Sequence, residues 1–250
     1  MFAEERKIKI EQMVKDGQSV RVSDLSKVFN VSETTIRRDL NELEASGQLI
    51  RTYGGALSGS NTGFEPSFTE KQDKFLAEKE YIGKLAASLI DDGDTVILDS
   101  GTTTQYIARY ITARETTILT NSVNLVDELS NKDETEVLVT GGSIRKNTKA
   151  MVGPVAENMM RQFKADKLFL GANGVSLSSG VTTPNYIEAS IKRAMVESAK
   201  EIYLTVDSSK FDEISFSLIC PVSKINYIIT DKLPKNFVKY THLGVEFITK

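Results

Sequence analysis

The chain has 250 residues, a formal net charge of −3 and a hydrophobic fraction of 40%, the make-up of a globular protein with room for more than one domain. No apolar run reaches bilayer-spanning length and charged residues stand near the N-terminus where a secretory leader would be apolar, so no membrane partner and a cytoplasmic location are expected. One cysteine, Cys220 in an apolar run, and one histidine, His242, exclude an internal disulfide and argue against a zinc site or a Ser-His-Asp triad, so no metal is expected; no cofactor or catalytic residue is assigned.

In chain order, Ile8, Ile10, Met13 and Val14 form the apolar stripe of a first helix, with Gly17 as its stop. Ser23 reads as the N-cap of a second, carrying Leu25, Val28 and Phe29 at i, i+3, i+4, and Asn30 can take a left-handed corner. Val31 turns inward, Ser32 caps a third helix, and Ile36, Leu40 and Leu43 anchor that helix at i, i+4, i+7. Its outer face keeps Glu33, Thr34, Thr35, Arg37 and Arg38. Gly47 closes it, and Leu49, Ile50, a Gly54-Gly55 turn and Ala56-Leu57 spell a hairpin bearing Arg51 and Tyr53.

Three helices and a β-ribbon make a winged helix-turn-helix, expected over residues 1–57. The residues assigned to a double-stranded DNA operator are Ser32, Thr34, Thr35, Arg37 and Arg38 at the major groove, with Arg51 and Tyr53 on the backbone or minor groove. Paired arginines are also an ordinary solvated face; the surrounding helices and wing favour DNA. A winged helix can instead dock on a protein, but this face has no apolar anchor. Residues 1–57 hold nine Lys/Arg and nine Asp/Glu, so attraction per copy is weak and a homo-oligomer, dimer or tetramer, is expected.

Ser58 to Gly63 is small and polar and marks a linker, drawn over residues 58–75, before a larger domain at 76–250. A charged segment from Phe68 to Tyr81 leads into the helical stripe Ile82, Leu85, Ala86, Leu89 and Ile90. Seven short runs then read as strands: Thr95–Leu98, Thr117–Leu119, Glu136–Val139, Lys167–Leu170, Ile202–Val206, Tyr227–Ile229 and Val245–Ile248. Helix stripes between them predict an α/β domain around a mostly parallel sheet, whose strand ends share one ligand-binding crevice.

The loops at those ends are polar. Asp99, Ser100, Gly101, Thr102, Thr103 and Thr104 join a strand to a helix, which suits a phosphate through backbone N–H groups, hydroxyls and a helix N-terminus; helix capping alone is the plainer reading. The loop lacks the Walker A and GxGxxG patterns, so a nucleotide is not implied. Asn121, Gly141, Gly142, Asn173 and Gly174 stand at further strand ends. Lys210 supplies a cation, and Asp207 and Asn173 can hold sugar hydroxyls. Glu188 and Lys192, at i, i+4, form either a surface ion pair or two more ligand contacts.

These residues resemble a known family. The segment Val31-Ser32-Glu33-Thr34-Thr35-Ile36-Arg37-Arg38-Asp39-Leu40 is similar to the recognition helix of the DeoR family of bacterial transcriptional regulators, and Tyr53-Gly54-Gly55-Ala56 to its wing. Asp99 to Thr103, Thr120-Asn121-Ser122, Gly171-Ala172-Asn173-Gly174 and Asp207-Ser208-Ser209-Lys210-Phe211 resemble its sugar-phosphate-sensing domain, which is related to ribose-5-phosphate isomerase. The resemblance covers essentially the whole chain. It implies a repressor of a sugar-catabolic operon that responds to a phosphorylated sugar effector. The same kinship raises an isomerase-like enzyme as the alternative. In those enzymes the loop matching residues 171–174 resembles Gly-Ala-Asp-Glu; here Asn173 and Gly174 replace the acidic pair and neither can act as a general base, which leaves Asp207 or Glu188 as the substitutes that residual catalysis would need.

Overall fold

The computed structural model describes residues 2–15, 20–45, 49–52, 54–58 and 65–249. Gly17, Gly47, Tyr53 and most of the Ser58 to Gly63 stretch lie outside the described residues. The chain divides into two compact units, Met1–Thr62 and Gly63–Lys250.

The first unit holds α1 (Ala3–Lys15), β1 (Val20–Arg21), α2 (Val22–Phe29), α3 (Glu33–Ala45), β2 (Leu49–Thr52) and β3 (Gly55–Ser58). Its core gathers Ile10, Val14, Val22, Leu25, Phe29, Ile36, Leu40 and Leu43. Asn30 takes the left-handed corner, at φ 50° and ψ 51°. Helix α2 starts two residues earlier than Ser23 implies: Arg21 is its N-cap, so Val22, Leu25 and Phe29 share the inner face. Val28, expected in that stripe, is 62% exposed, and Ile8 on α1 is 65% exposed, because both fall out of phase with the buried face. In phase with it are two charges. Arg6 donates to both Asp39 oxygens, at 2.5 and 3.0 Å, inside the unit.

The expected hairpin is a three-stranded sheet of order β1-β3-β2. A Cβ on Gly55 would lie 1.7 Å from the Val20 carbonyl oxygen, so only glycine lets β1 pair with β3.

The second unit is built on seven strands: β4 (Thr95–Leu98), β5 (Thr116–Thr120), β6 (Thr135–Val139), β9 (Ala165–Leu170), β12 (Ala199–Thr205), β14 (Tyr227–Ile229) and β15 (Glu246–Ile248). They pair in the order β15-β14-β12-β9-β4-β5-β6, and every ladder among them is parallel. Side chains alternate between two apolar layers. Val96, Leu98 and Phe169 face a layer formed with α5 (Leu76–Ala87), α6 (Thr102–Tyr110) and α7 (Val123–Ser130). Ile97, Leu168 and Leu170 face the other, formed with α8 (Pro154–Arg161), α9 (Tyr186–Glu197) and Tyr240 of α10 (Phe237–Thr241).

Successive strands run outward from the central pair β4 and β9 in opposite directions, so the switch point lies where Asp99 and Gly171 follow adjacent strands. The antiparallel part is segregated into two small sheets. These are β7 (Ser143–Arg145) with β8 (Ala150–Val152), and β10 (Gly174–Ser176), β11 (Gly180–Thr183) and β13 (Ser217–Cys220).

The stretch drawn as linker contains structure. Helix α4 (Phe68–Gln72) opens on a capping box, with the Glu70 amide donating to Ser67 Oγ at 3.3 Å and the Ser67 amide to Glu70 Oε2 at 2.8 Å. Among the described residues no helix is long and apolar enough to cross a membrane.

Candidate DNA-binding face and effector site

Helix α3 is held from below by its apolar face and by Arg6–Asp39, which leaves its outer side to solvent. Ser32, Thr34, Arg37 and Arg38 are exposed and Thr35 is half-buried. Ser32 Oγ accepts the Thr35 amide at 3.2 Å, so it caps the helix at the start of this face. Arg37 pairs with Glu33 at 3.2 Å and Arg38 with Glu42 at 3.6 Å. Such exposed intrahelical pairs are weak, and a nucleic-acid phosphate can displace the carboxylates. Arg51 is turned toward α3: its guanidinium donates to Asn41 and its amide to Glu44 Oε1.

At the switch point of the second unit, polar residues fall into two groups. The first is consumed in holding the loops and small sheets together. Asp99 is fully buried and accepts the Ser100 amide at 2.8 Å, the Gly171 amide at 2.9 Å and the Lys192 ammonium. All of its near neighbours are donors already in place, so Asp99 ties β4, β9 and α9 together and does not present its carboxylate as a ligand contact. Thr104 is likewise buried; its hydroxyl accepts the Gly101 amide at 2.9 Å and donates to the Asp99 carbonyl at 2.6 Å. Asn121 is buried and donates to the Met151 carbonyl at 3.1 Å. A Cβ on Gly174 would meet the Glu213 carbonyl oxygen at 2.3 Å, and one on Gly142, whose φ is +102°, the Val152 carbonyl oxygen at 2.7 Å. These glycines permit close packing of the small sheets. Gly141, also left-handed, follows β6 at the far edge of the main sheet. Asn173 accepts from Thr183 Oγ1 at 3.2 Å.

The second group is left with bonding capacity. The hydroxyls of Ser100, Thr102 and Thr103 and the amides of Thr102 and Thr103 make no intramolecular hydrogen bond among the described contacts. They surround the first turn of α6.

Glu188 and Lys192 are both buried, which removes the surface-pair reading. Lys192 donates to Asp99 and, at 2.9 Å, to the Gly171 carbonyl. Glu188 accepts from Arg145 at 2.6 Å and from Thr148. Burial pushes the Glu188 carboxyl up, but Lys192, Thr148, Arg145 and Lys71 outweigh it and hold the group below the usual carboxylate range. Asp207 accepts the amide and hydroxyl of Ser209. Lys210 is half-buried with its ammonium 5.8 Å from the Phe75 ring centre.

Two lysines from the charged segment, unassigned by sequence reading, lie within electrostatic reach of these groups. Lys71 on α4 has no hydrogen-bonding or ion-pair partner for its ammonium among the described residues. Burial holds its pKa below the ordinary value; Glu65 and Glu188 oppose that, while Lys192 and Lys210 add to it. Lys79 on α5 is buried, donates to the carbonyls of Lys71 and Lys74, and is pushed down to about 8 by burial, against Asp207 and with help from Lys210 and Lys71. Lys79 had a legible signal: it lies on the face of α5 that carries Ile82, Gly83 and Ala86. Lys71 had none beyond its place one residue after the capping box.

The description "DeoR-like helix-turn-helix domain" matches residues 6–62, and "DeoR C terminal sensor domain" matches residues 74–232. The chain belongs to the DeoR family. As a DeoR-family protein it is a helix-turn-helix transcriptional regulator. It is 41% identical to the HTH-type transcriptional regulator GlpR of Haloferax volcanii over 233 residues, 92% of this chain and 91% of that one. The lactose phosphotransferase system repressor of Staphylococcus epidermidis is 36% identical over 225 residues, 89% of each chain. Among solved structures, ribose 5-phosphate isomerase A of Methanocaldococcus jannaschii is similar over 53% of each chain, at 17% identity and a TM-score of 0.37.

Proposed function

We propose that this DeoR-family regulator represses a sugar-catabolic operon and releases its operator when a phosphorylated sugar binds the second unit. The carrying observation is the concentration of ammonium groups at the switch point. Lys71 and Lys79 each feel Lys210, Lys79 also feels Lys71, Lys71 also feels Lys192, and among the described residues the Lys71 ammonium makes no hydrogen bond or ion pair. Holding several like charges together costs free energy that a dianion would recover. The free donors of Ser100, Thr102 and Thr103 are the natural complement for phosphate oxygens, and Lys71 and Lys210 supply the positive charge. Asp207 and Asn173 are left for sugar hydroxyls.

On the DNA side the assignment is Ser32, Thr34, Thr35, Arg37 and Arg38 of α3, with Arg51 and Tyr53 on the wing, in a homo-oligomer that supplies two half-sites. No catalytic role is assigned. The amide of Asn173 and the absent side chain of Gly174 support binding without proton transfer. The division into a DNA-binding domain at 1–57, a connection at 58–75 and an effector domain at 76–250 is kept for function, with Lys71 as an effector contact supplied from the connection.

A thermal-shift screen against phosphorylated sugars tests the reading, since a ligand at a hundred times its Kd stabilises its domain by ~2.7 kcal/mol. One phosphorylated sugar should raise the melting temperature while its unphosphorylated parent does not. A flat response to every phosphorylated sugar, or turnover of one at ordinary enzymatic rates, overturns it.

A further inference from the structure

The hairpin β7–β8 touches both the ion cluster and the first described residues of the second unit. Arg145 donates through one nitrogen to Glu188 at 2.6 Å and through another to Glu65 at 2.7 Å. The carboxylates are nearly inaccessible, at 5% and 7% side-chain exposure. Next to Arg145 in the turn, Asn147 Nδ2 donates to the Glu65 carbonyl at 3.2 Å, and the Asn147 carbonyl accepts the Phe68 amide at 2.8 Å. Thr148 adds a bond to Glu188. One short turn therefore grips residues 65–68 with one side and the buried Glu188 with the other.

We propose that Arg145 couples the anion site to this strap, with Glu65 as the partner whose hold depends on occupancy. The inference rests on reading the lysine cluster as an anion site. Glu65 and Glu188 share one guanidinium and both lie in the field of Lys71. A phosphate group at the cluster takes up the charge of Lys71 and Lys192 and adds negative charge beside Glu188. Both carboxylates then depend more heavily on Arg145, which cannot strengthen its bonds to the two equally. Glu65 is the weaker claimant. Among the described residues its Oε1 is buried without a hydrogen-bond partner and its Oε2 has only a long 3.4 Å bond from Asn147 Nδ2 beside Arg145, whereas Glu188 has the close hydroxyl of Thr148 in support.

The strap is short enough for this to matter. Lys71 lies three residues after Phe68 on α4, so the ligand's pull on Lys71 and the hairpin's hold on Glu65 and Phe68 act on one turn of helix. Residues 59–64, which join the two units in sequence, immediately precede Glu65. Effector occupancy is thereby converted into the firmness with which residues 65–68 are held, a coupling between sites in the thermodynamic sense.

The test is amide hydrogen exchange on the full-length chain with inorganic phosphate as the probe. In the parent, phosphate should slow exchange at Thr102–Thr104 and change exchange across Phe68–Gln72 by about threefold or more. Glu65→Gln keeps the volume of the side chain and removes its charge. Arg145→Lys keeps the charge but loses the planar fork that spans two carboxylates. In both variants the slowing at Thr102–Thr104 should persist, which also reports an intact fold, while the change at Phe68–Gln72 should vanish. A parental response at Phe68–Gln72 in both variants overturns the coupling, as does a parent that responds at Thr102–Thr104 alone. A parent that responds nowhere overturns the anion site itself and the coupling with it.

Discussion

Replacing Lys71 by Met should move stability and ligand affinity in opposite directions. In the free protein the Lys71 ammonium has no bonding partner among the described residues, and burial lowers its pKa in spite of Glu65 and Glu188. A lysine whose folded pKa lies below its ordinary 10.5 penalises the folded state wherever it is protonated there, and the penalty fades as pH rises toward the ordinary value. The variant should therefore melt at a higher temperature than the parent at neutral pH, and the gap should narrow under alkaline conditions. Met matches Lys closely in helix propensity, and Glu188 keeps Arg145 and Thr148, so no new unpaired group offsets the gain. Binding goes the other way. Losing one charge-assisted hydrogen bond to phosphate costs about 1.5–3 kcal/mol, or about 10- to 150-fold in Kd. Differential scanning calorimetry without ligand and isothermal titration with the sugar phosphate found by thermal shift read the two effects separately. A variant that melts lower at neutral pH, or binds as tightly as the parent, refutes the assignment of Lys71 as an unpaired ammonium held for an anion.

Three further outcomes follow from the same geometry. Lys79 sits at about 8 because burial outweighs Asp207; anion binding favours its protonated form, so affinity measured by titration calorimetry should fall as pH rises above 8, by up to about tenfold per unit, and a flat profile between pH 7 and 9 removes Lys79 from the site. Asp99→Asn leaves the buried Lys192 ammonium without its counter-ion and should cost about 3–5 kcal/mol in urea unfolding; a loss under about 1 kcal/mol contradicts its place as the tie between β4, β9 and α9. Arg37→Ala and Arg38→Ala should each weaken operator binding in gel-shift titrations; a base-reading arginine costs about 1–3 kcal/mol and relaxes specificity, whereas a phosphate contact lowers the salt slope by about one. Unchanged binding in both variants would move the DNA contact off this helix face.

The seven main strands were legible because a strand buried on both faces must be short, apolar and bounded by polar loops, a pattern that does not depend on knowing its neighbours. Strands β7, β8, β10, β11 and β13 carry no such pattern. Each has three or four residues; β7, β10 and β11 mix glycine or hydroxyl residues into the run, and β8 and β13, though largely apolar, are too short to stand out, while Gly142 and Gly174 permit the close backbone approach around them. The start of α2 was misplaced for a related reason. Ser23 has the right chemistry for a cap, but pairing of Val20 and Arg21 with β3 brings the chain into the helix two residues earlier.

The effector residues divide along a physical line that composition cannot draw. A strand-end loop must first satisfy its own buried amides, and the polar side chains nearest the sheet are consumed in doing so. Asp99, Thr104 and Asn121 are fully buried and bonded to backbone, whereas Ser100, Thr103, Lys71 and Lys210 remain half-buried. All seven look alike as a string of hydroxyls, amides and charges. A ligand can meet only the outer set, and the inner set determines where that set stands. Substitutions should therefore sort by burial: changes at Asp99, Thr104 or Asn121 lower stability with or without ligand, and changes at Ser100, Thr103, Lys71 or Lys210 spare the free protein while weakening the bound one. An outer-set variant that unfolded the free domain would place that residue in the frame and reduce the number of groups left to hold a phosphate.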